Sequence, residues 1–306
     1  MTSFLRQRRT AMRLSQGDLA ESLGVSQQTV ARWETSSQVP AKYIKDLAVI
    51  MGARAEDFLP RGEEGPSRRS AAGLAQKQRS EDMDEGGEET LPFGDVHLHF
   101  SDQTGPCVYS YPVTWGTLNR IQEQLGDVGL GFLRTARWLQ FESLNNKWVA
   151  VNTQALDRVT FMNDNVEAMT SFEHEEVYKA ARELWACMPT EEETGQENFP
   201  YSNRLLKSVK DLIAAFAEDA SIELEGMTVD FTSGGRLSEV VDSEVALSLD
   251  ATFGTRRDED LEPHRFLQLT FQDTGTFEHV RLGAVRRIEA SLVAFNEACE
   301  READDD

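Results

Sequence analysis

Two adjacent glutamines, Gln27 and Gln28, open a short stretch of helical apolar spacing, with Thr29 beside them and Arg32 one turn further on. A glutamine amide carries a donor and an acceptor side by side, and arginine presents a planar fork of N–H groups, so this set is suited to hydrogen-bonded recognition rather than to bond breaking. Residue patterns for catalysis are missing. No serine in a Gly-rich turn has a partner lysine, since Lys207 and Lys210 fall on a helical stripe, and no phosphate loop, zinc spacing or His/Cys pair stands out. His97 and His99 share one face of an alternating segment without nearby Cys or further His, and read as a solvated strand face. Cys107, Cys187 and Cys299 are far apart and odd in number, so reduced thiols are expected. We therefore expect no enzyme, no cofactor and no metal.

The elements that must position the glutamines are marked by caps. Ser15 reads as an N-cap with Asp18 in the capping-box position, a helix follows from Gln16 to Leu23, and Gly24 can take the left-handed conformation that ends it. Ser26 then caps a second helix running through Trp33. Leu19, Leu23, Val25, Val30 and Trp33 would line the inner angle, Ala20 would permit close approach, and Gln27, Gln28 and Arg32 would point outward. From Ser3 to Leu59 the same spacing predicts four or five short helices and no strand.

This segment resembles the Cro/CI-type, or XRE, helix-turn-helix family of bacterial and phage repressors. The resemblance rests on Arg9, the run from Leu14 to Glu34, Pro40, the Leu47-Ala48 to Gly52 stretch, and Asp57, Phe58 and Leu59. Gln16, Ala20, Gly24, Val30 and Trp33 fall at framework positions. The run Thr35 to Val39 lacks the glycine commonly found after this Glu, which leaves the following loop less defined. The resemblance implies a second helix laid in the major groove with its N-terminal residues on base edges. It thereby assigns base contacts to Gln27, Gln28, Thr29 and Arg32. A glutamine amide can engage adenine N6 and N7 together, which favours an A·T-containing half-site, while Arg32 could reach a guanine or a phosphate. Gln16, Lys42 and Lys45 are expected on phosphates, and Arg9 with Glu34 as a structural ion pair. For each outward residue the plainer alternative is solvation.

The chain has 306 residues and a formal net charge of −22, which would ordinarily oppose a polyanionic partner. The average conceals an asymmetry: residues 1–54 hold eight Arg and Lys against four Asp and Glu, so the head carries +4 and the rest −26. Any DNA contact is thus expected in the first ~60 residues. No apolar run of ~20 residues and no secretion signal is read, so a cytoplasmic protein without membrane partners is expected. Residues 61–92 lose their apolar content and gain acids from Glu81 to Glu89, and read as a flexible linker, with a helix possible near Ser70 to Ser80 and Arg68 and Arg69 solvated. Such a tether would span roughly 30 Å root mean square.

The remainder contains a weak self-similarity. Asp95 to Phe100 resembles Met227 to Phe231, Arg137 to Phe141 resembles Arg265 to Leu269, and Ala155 to Val159 resembles Ala284 to Ile288. The intervals agree: Phe100 to Arg137 is 37 residues and Phe231 to Arg265 is 34, while Arg137 to Ala155 is 18 and Arg265 to Ala284 is 19. The fold class is accordingly multidomain: an all-α helix-turn-helix domain over 1–60, then an α+β body of two related modules. The expected boundaries are 61–92 for the linker, 93–170 and 223–300 for the modules, 171–222 for connecting helices and 301–306 for an acidic tail. Each module is expected to hold a strand, a strand or short helix (Trp115 to Leu125 in the first), and a hairpin turning at Asn145-Asn146 or Asp273-Thr-Gly275. Stripes such as Leu205, Val209 and Ile213 mark the connecting helices, and a last helix is expected from about Val285 to Cys299.

These readings point to a sequence-specific transcriptional regulator of double-stranded operator DNA, repressor before activator, that acts as a homodimer or higher homo-oligomer. The body would assemble the oligomer or sense a small-molecule effector. The alternative is an antitoxin-like or phage-regulatory protein whose acidic body binds a protein partner.

Overall fold

The computed structural model describes residues 4–36, 38–59, 89–102, 105–126, 137–163, 170–187, 201–253, 265–271 and 276–305, side chains of 270–277 and 301–305 excepted. Residues 61–88 of the expected linker, with its acidic run up to Glu88, the helix near Ser70 to Ser80, Arg68 and Arg69, together with the Asp273–Gly275 turn and Asp306, lie outside them. The chain divides into two compact units, Met1–Arg68 with His174–Ala217, and Arg69–Glu173 with Glu218–Asp306.

The first unit is helical. α1 (Phe4–Ala11), α2 (Gln16–Leu23), α3 (Gln27–Ser36) and α4 (Ile44–Met51) surround Leu5, Leu19, Val30, Trp33, Leu47 and Met51, with short 3₁₀ turns at Ala41–Tyr43 and Ala55–Phe58. Two helices from far along the chain, α6 (Glu175–Ala186) and α7 (Asn203–Phe216), belong to the same unit and pack on α4. The Ser202 hydroxyl, which caps α7, donates to Asp46 Oδ1 at 2.6 Å, and Arg204 donates to the Ser22 carbonyl at 2.6 Å. The α7 stripe, expected only as part of helices connecting the two modules in sequence, thus lies in the same unit as the head; helical spacing specifies an apolar face but not the surface that face finds.

The second unit is α+β. In order it holds β1 (Pro92–Asp102), β2 (Gly105–Thr114), α5 (Trp115–Leu125), β3 (Trp138–Ser143), β4 (Lys147–Asn152), a 3₁₀ turn at Thr153–Ala155 and β5 (Arg158–Met162). After α8 (Ala220–Glu225) come β6 (Gly226–Phe231), β7 (Arg236–Val240), α9 (Ser243–Phe253), β8 (Phe266–Phe271), β9 (Thr276–Arg281), a 3₁₀ turn at Leu282–Ala284, β10 (Val285–Ser291) and α10 (Leu292–Asp305). The sequence of two strands, helix, hairpin, 3₁₀ turn and strand therefore occurs twice. Trp115–Leu125 is a helix, capped by the Thr114 hydroxyl and ended by left-handed Gly126.

The strands form three antiparallel sheets, ordered β2-β1-β5, β3-β4-β10-β6-β7 and β8-β9. The β3–β4 hairpin is buried on both faces. Leu139, Phe141, Val149 and Val151 join one apolar cluster with β1 and β2, whereas Trp138, Trp148 and Ala150 join another built from β6, β8, α9 and α10. Trp148 stacks on Phe295 at 5.2 Å between centroids, and Trp138 meets the Phe253 edge at 5.1 Å. Val285–Ser291 is the central strand of its sheet, which corrects the expectation of a helix starting near Val285. The apolar positions Val285, Ile288 and Leu292 happen to match helical spacing, while Arg286 and Arg287 between them are buried too, at 5% and 4% exposure. A central strand covered on both faces loses the alternation that would have marked it.

The β3–β4 turn is set by Asn146, a non-glycine residue at φ +64°. Its side chain is buried, accepting from the Val293 N–H at 2.9 Å and donating to Ser291 Oγ at 3.2 Å, while its carbonyl accepts from the Leu292 N–H. These bonds hold a left-handed backbone that would otherwise cost ~1–2 kcal/mol. Asn146→Ala removes both side-chain bonds and keeps the unfavourable backbone, so the body is expected to lose about 3 kcal/mol, read as a lowered urea midpoint with unchanged slope. An unshifted midpoint would show that the turn does not depend on this side chain.

Candidate nucleic-acid interface

The geometry begins at the α2 cap. Ser15 Oγ accepts from the Asp18 N–H at 3.1 Å, and Asp18 Oδ2 accepts from the Ser15 N–H at 2.7 Å, closing a capping box. The Ser15 hydroxyl and the Ser15 N–H, both directed at the carboxylate, hold the Asp18 carboxyl below its usual range. Gly24 stops the helix at φ +64°, its N–H directed to the Ala20 and Glu21 carbonyls. Two residues later Ser26 Oγ accepts from the Thr29 N–H at 3.2 Å and lies 2.9 Å from the Thr29 hydroxyl, which starts α3. The angle between α2 and α3 is fixed by buried Leu19, Ala20, Val30 and Trp33. Trp33 leans on Tyr43 at 5.0 Å.

Held this way, α3 presents Gln27, Gln28 and Arg32 exposed, with Thr29 half-buried beside them. The first three make no side-chain hydrogen bond to any described residue. Thr29 is partly engaged by the cap. Lys42 is exposed, its ammonium 4.9 Å from the centre of the adjacent Tyr43 ring.

Glu34 closes the back of the unit. Arg9 Nε donates to Glu34 Oε1 at 2.6 Å, and Gln16 Nε2 donates to Glu34 Oε2 at 2.7 Å, so α1, α2 and α3 meet at one carboxylate. The structure therefore brings Arg9, Gln16 and Glu34 together, a union in which Gln16 has one amide hydrogen on Glu34 and a second remaining. Lys45 lies elsewhere. Its ammonium is 3.2 Å from Glu183 on α6 and 4.8 Å from the centre of the Tyr201 ring, both in the same unit.

Two groups escaped sequence reasoning. Arg8 donates to the Met51 carbonyl at 3.0 Å and the Gly52 carbonyl at 2.9 Å, placing a cation on the C-terminal end of α4. A last-turn arginine on α1 was visible, but nothing local showed which helix end it would meet. Asp46 is the other: it is buried, Oδ1 accepts from the Ser202 hydroxyl while Oδ2 has no hydrogen-bond partner among the described residues, and burial pushes its carboxyl upward against the pull of Ser202 and Arg204. Its partner lies 156 residues away, beyond the reach of any local pattern.

Residues 5–58 match the family model of the helix-turn-helix domain. No curated protein matches the chain, and no solved structure does. The N-terminal region is thus a helix-turn-helix domain of the XRE type, a DNA-binding fold, followed by a body of mixed strands and helices. Among the described residues no helix is long and apolar enough to cross a membrane, and no group of three His, Cys, Asp or Glu could hold a metal ion.

Glu34 makes the fold of this domain acid-sensitive. Burial alone would raise its carboxyl, but the bonds from Arg9 and Gln16 and the Arg9 charge outweigh burial and hold it below the ordinary value of 4.5. A depressed folded value means stability that is present above about pH 4.5 and lost as the pH falls through the folded value. Glu34→Gln is expected to lower the stability of the full-length protein's head by about 1–3 kcal/mol at neutral pH and to flatten the acid limb of its melting curve. Calorimetry from pH ~3 to ~7 reads both, and an acid limb as steep as in the unmodified protein would remove Glu34 as its source.

Proposed function

We propose that this protein is a sequence-specific DNA-binding transcriptional regulator, acting as a repressor, whose head reads an operator and whose body assembles the oligomer. One observation carries the reading: Gln27 and Gln28 at the start of α3, and Arg32 one turn further on, stand exposed and unengaged on a helix whose cap, turn and inner face are otherwise committed. Unpaired amide and guanidinium donors on a rigid ridge are what direct readout in a major groove requires. Gln27 and Gln28 would face adenines, Arg32 a guanine or phosphate, and Thr29 would add an apolar or hydroxyl contact. Gln16, oriented by Glu34, and Lys42 would grip phosphates on either side. Lys45 has less to offer there, because Glu183 and Tyr201 already hold its ammonium.

The two series of strands, helix, hairpin, turn and strand support a duplication within the body. In both, the first N–H of the 3₁₀ turn donates to the residue just before the hairpin: Thr153 to Arg137 and Leu282 to Arg265, each at 2.9 Å. The registers agree as well, since His99 faces Arg158 as Asp230 faces Arg287, and Trp138 faces Asn152 as Phe266 faces Arg281. A second reading of the body, effector sensing, is favoured by a polar cavity of about 290 Å³ lined by Tyr109, Tyr111, Lys147, Arg236, Arg287 and Glu289. The carboxylates there already pair its cations, which leaves assembly as the better-supported role.

The test is selection of bound sequences from a random duplex pool, followed by titration of the winning site. Gln27→Ala with Gln28→Ala is expected to cost about 2–5 kcal/mol on that site and little on random DNA, whereas Lys42→Ala should weaken both alike and reduce the salt slope by about 1. Equal losses on selected and random DNA for the double variant would exclude the glutamines as readers.

A further inference from the structure

The two hairpins of the body have the same sequence pattern and the same internal register, yet very different surroundings. In the first, the outer edge of β4 pairs with β10, and the outward face is covered: Trp138 is 2% exposed beneath Phe253. In the second, β8 and β9 pair with no further strand among the described residues, and Phe266, the counterpart of Trp138, is 58% exposed. The counterpart of β10 is β5. Among the described residues it too is an edge strand, paired with β1 alone, and it carries Met162 at 51% exposure. One ladder of the duplicated design, β10 on β4, is therefore formed, while the strands of the matching ladder, β5 and β9, each have one edge with no strand partner among the described residues.

From this we infer that β9 of one copy pairs antiparallel with β5 of a second copy of this chain, and reciprocally, to build the dimer. The formed ladder dictates the register. Leu282 stands 129 positions after Thr153, as Arg287 stands after Arg158. Replacing each residue of the β10–β4 ladder by its counterpart turns Arg287 opposite Val151 into Arg158 opposite Val280, and Ile288 opposite Ala150 into Val159 opposite His279. Likewise Glu289 opposite Val149 becomes Thr160 opposite Glu278. That register sets a hydroxyl across from a carboxylate and Arg158 diagonal to Glu278, both favourable cross-strand arrangements.

A second copy is the occupant because the hairpin is not free to swing onto its own β5. Leu267, Leu269 and Val280 are buried in the core with α9, and the Leu282 N–H is fixed on the Arg265 carbonyl. Moving the hairpin would expose those side chains, whereas a partner brings a β5 edge to a β9 that stays where it is. Each copy offers both edges, so a twofold axis satisfies two ladders at once and closes the assembly. This surface deepens the oligomer part of the proposed function and makes no use of DNA binding, so either can fail without the other.

The experiment uses the full chain with Cys107, Cys187 and Cys299 replaced by serine. Thr160→Cys and Glu278→Cys are made separately, with different mass tags, and also together. On mild oxidation the mixed single variants should give a crosslinked heterodimer, and sedimentation should give twice the chain mass. Phe266→Glu, at an exposed position, should raise the dimer dissociation constant at least about tenfold while circular dichroism and the melting temperature of the monomer stay unchanged. A disulfide closed within one chain in the double variant would overturn the proposal in favour of pairing inside the monomer. A monomeric mass, a dimer without the crosslink, or a dimer indifferent to Phe266→Glu would overturn it as well.

Discussion

A single buried carboxylate organises the DNA-binding head. Glu34 lies near the end of α3, and its two oxygens take one donor from α1 and one from α2. Helix α3 is thereby fixed against both preceding helices by directional bonds as well as by the non-directional packing of Leu19, Val30 and Trp33. Packing alone would allow α3 to slide or rotate by a fraction of a turn at small cost. A charge-assisted bond of 2.6 Å does not. The base readout proposed for Gln27 and Gln28 requires a helix held in one orientation, and the bonds that hold α3 converge on the carboxylate of Glu34.

Much of the head was legible because its determinants are local. Ser15 with Asp18, Gly24, and Ser26 with Thr29 are each separated by three residues or fewer, and the physics of capping connects the sequence directly to the observed turn. The covering of α4 by α6 and α7 was not legible, because the bonds that carry it join Asp46 to Ser202 and Lys45 to Glu183 across more than a hundred residues. The consequence for the site is specific. Lys45 looked like a phosphate ligand by type and position, and only its distant neighbours show that its charge is engaged.

The body was less legible, for a related reason. Its self-similarity located both hairpins, since Arg137 to Phe141 and Arg265 to Leu269 keep the same order of large and polar residues. The strand at Val285 was hidden. Burial on both faces removes the polar half of the alternation, and the two charges that remain, Arg286 and Arg287, look like the solvated side of a helix until their partners are known. Arg287 is paired with Asp230 and Glu289 and also donates to the Tyr111 hydroxyl. Burial would raise the Glu289 carboxyl, but Arg287 and Lys147 hold it down, so it remains a charged acceptor in the interior.

Both units therefore rely on the same device, a buried carboxylate that gathers donors from separate elements. In the head, Glu34 joins three helices. In the body, Glu289 accepts from Tyr111 on β2 and pairs with Lys147 on β4 and with Arg287 beside it on β10, so elements of both structural series meet at one group. Such groups add little net stability over well-packed apolar residues, because removing two ions from water is costly. Their contribution is geometric: an apolar face accepts many orientations of its cover, whereas a carboxylate with its donors assigned accepts one. Two like series of strands could pack together in several registers of similar apolar area. The Glu289 cluster penalises each arrangement that would leave a charge unpaired, and so selects the one in which β10 lies on β4.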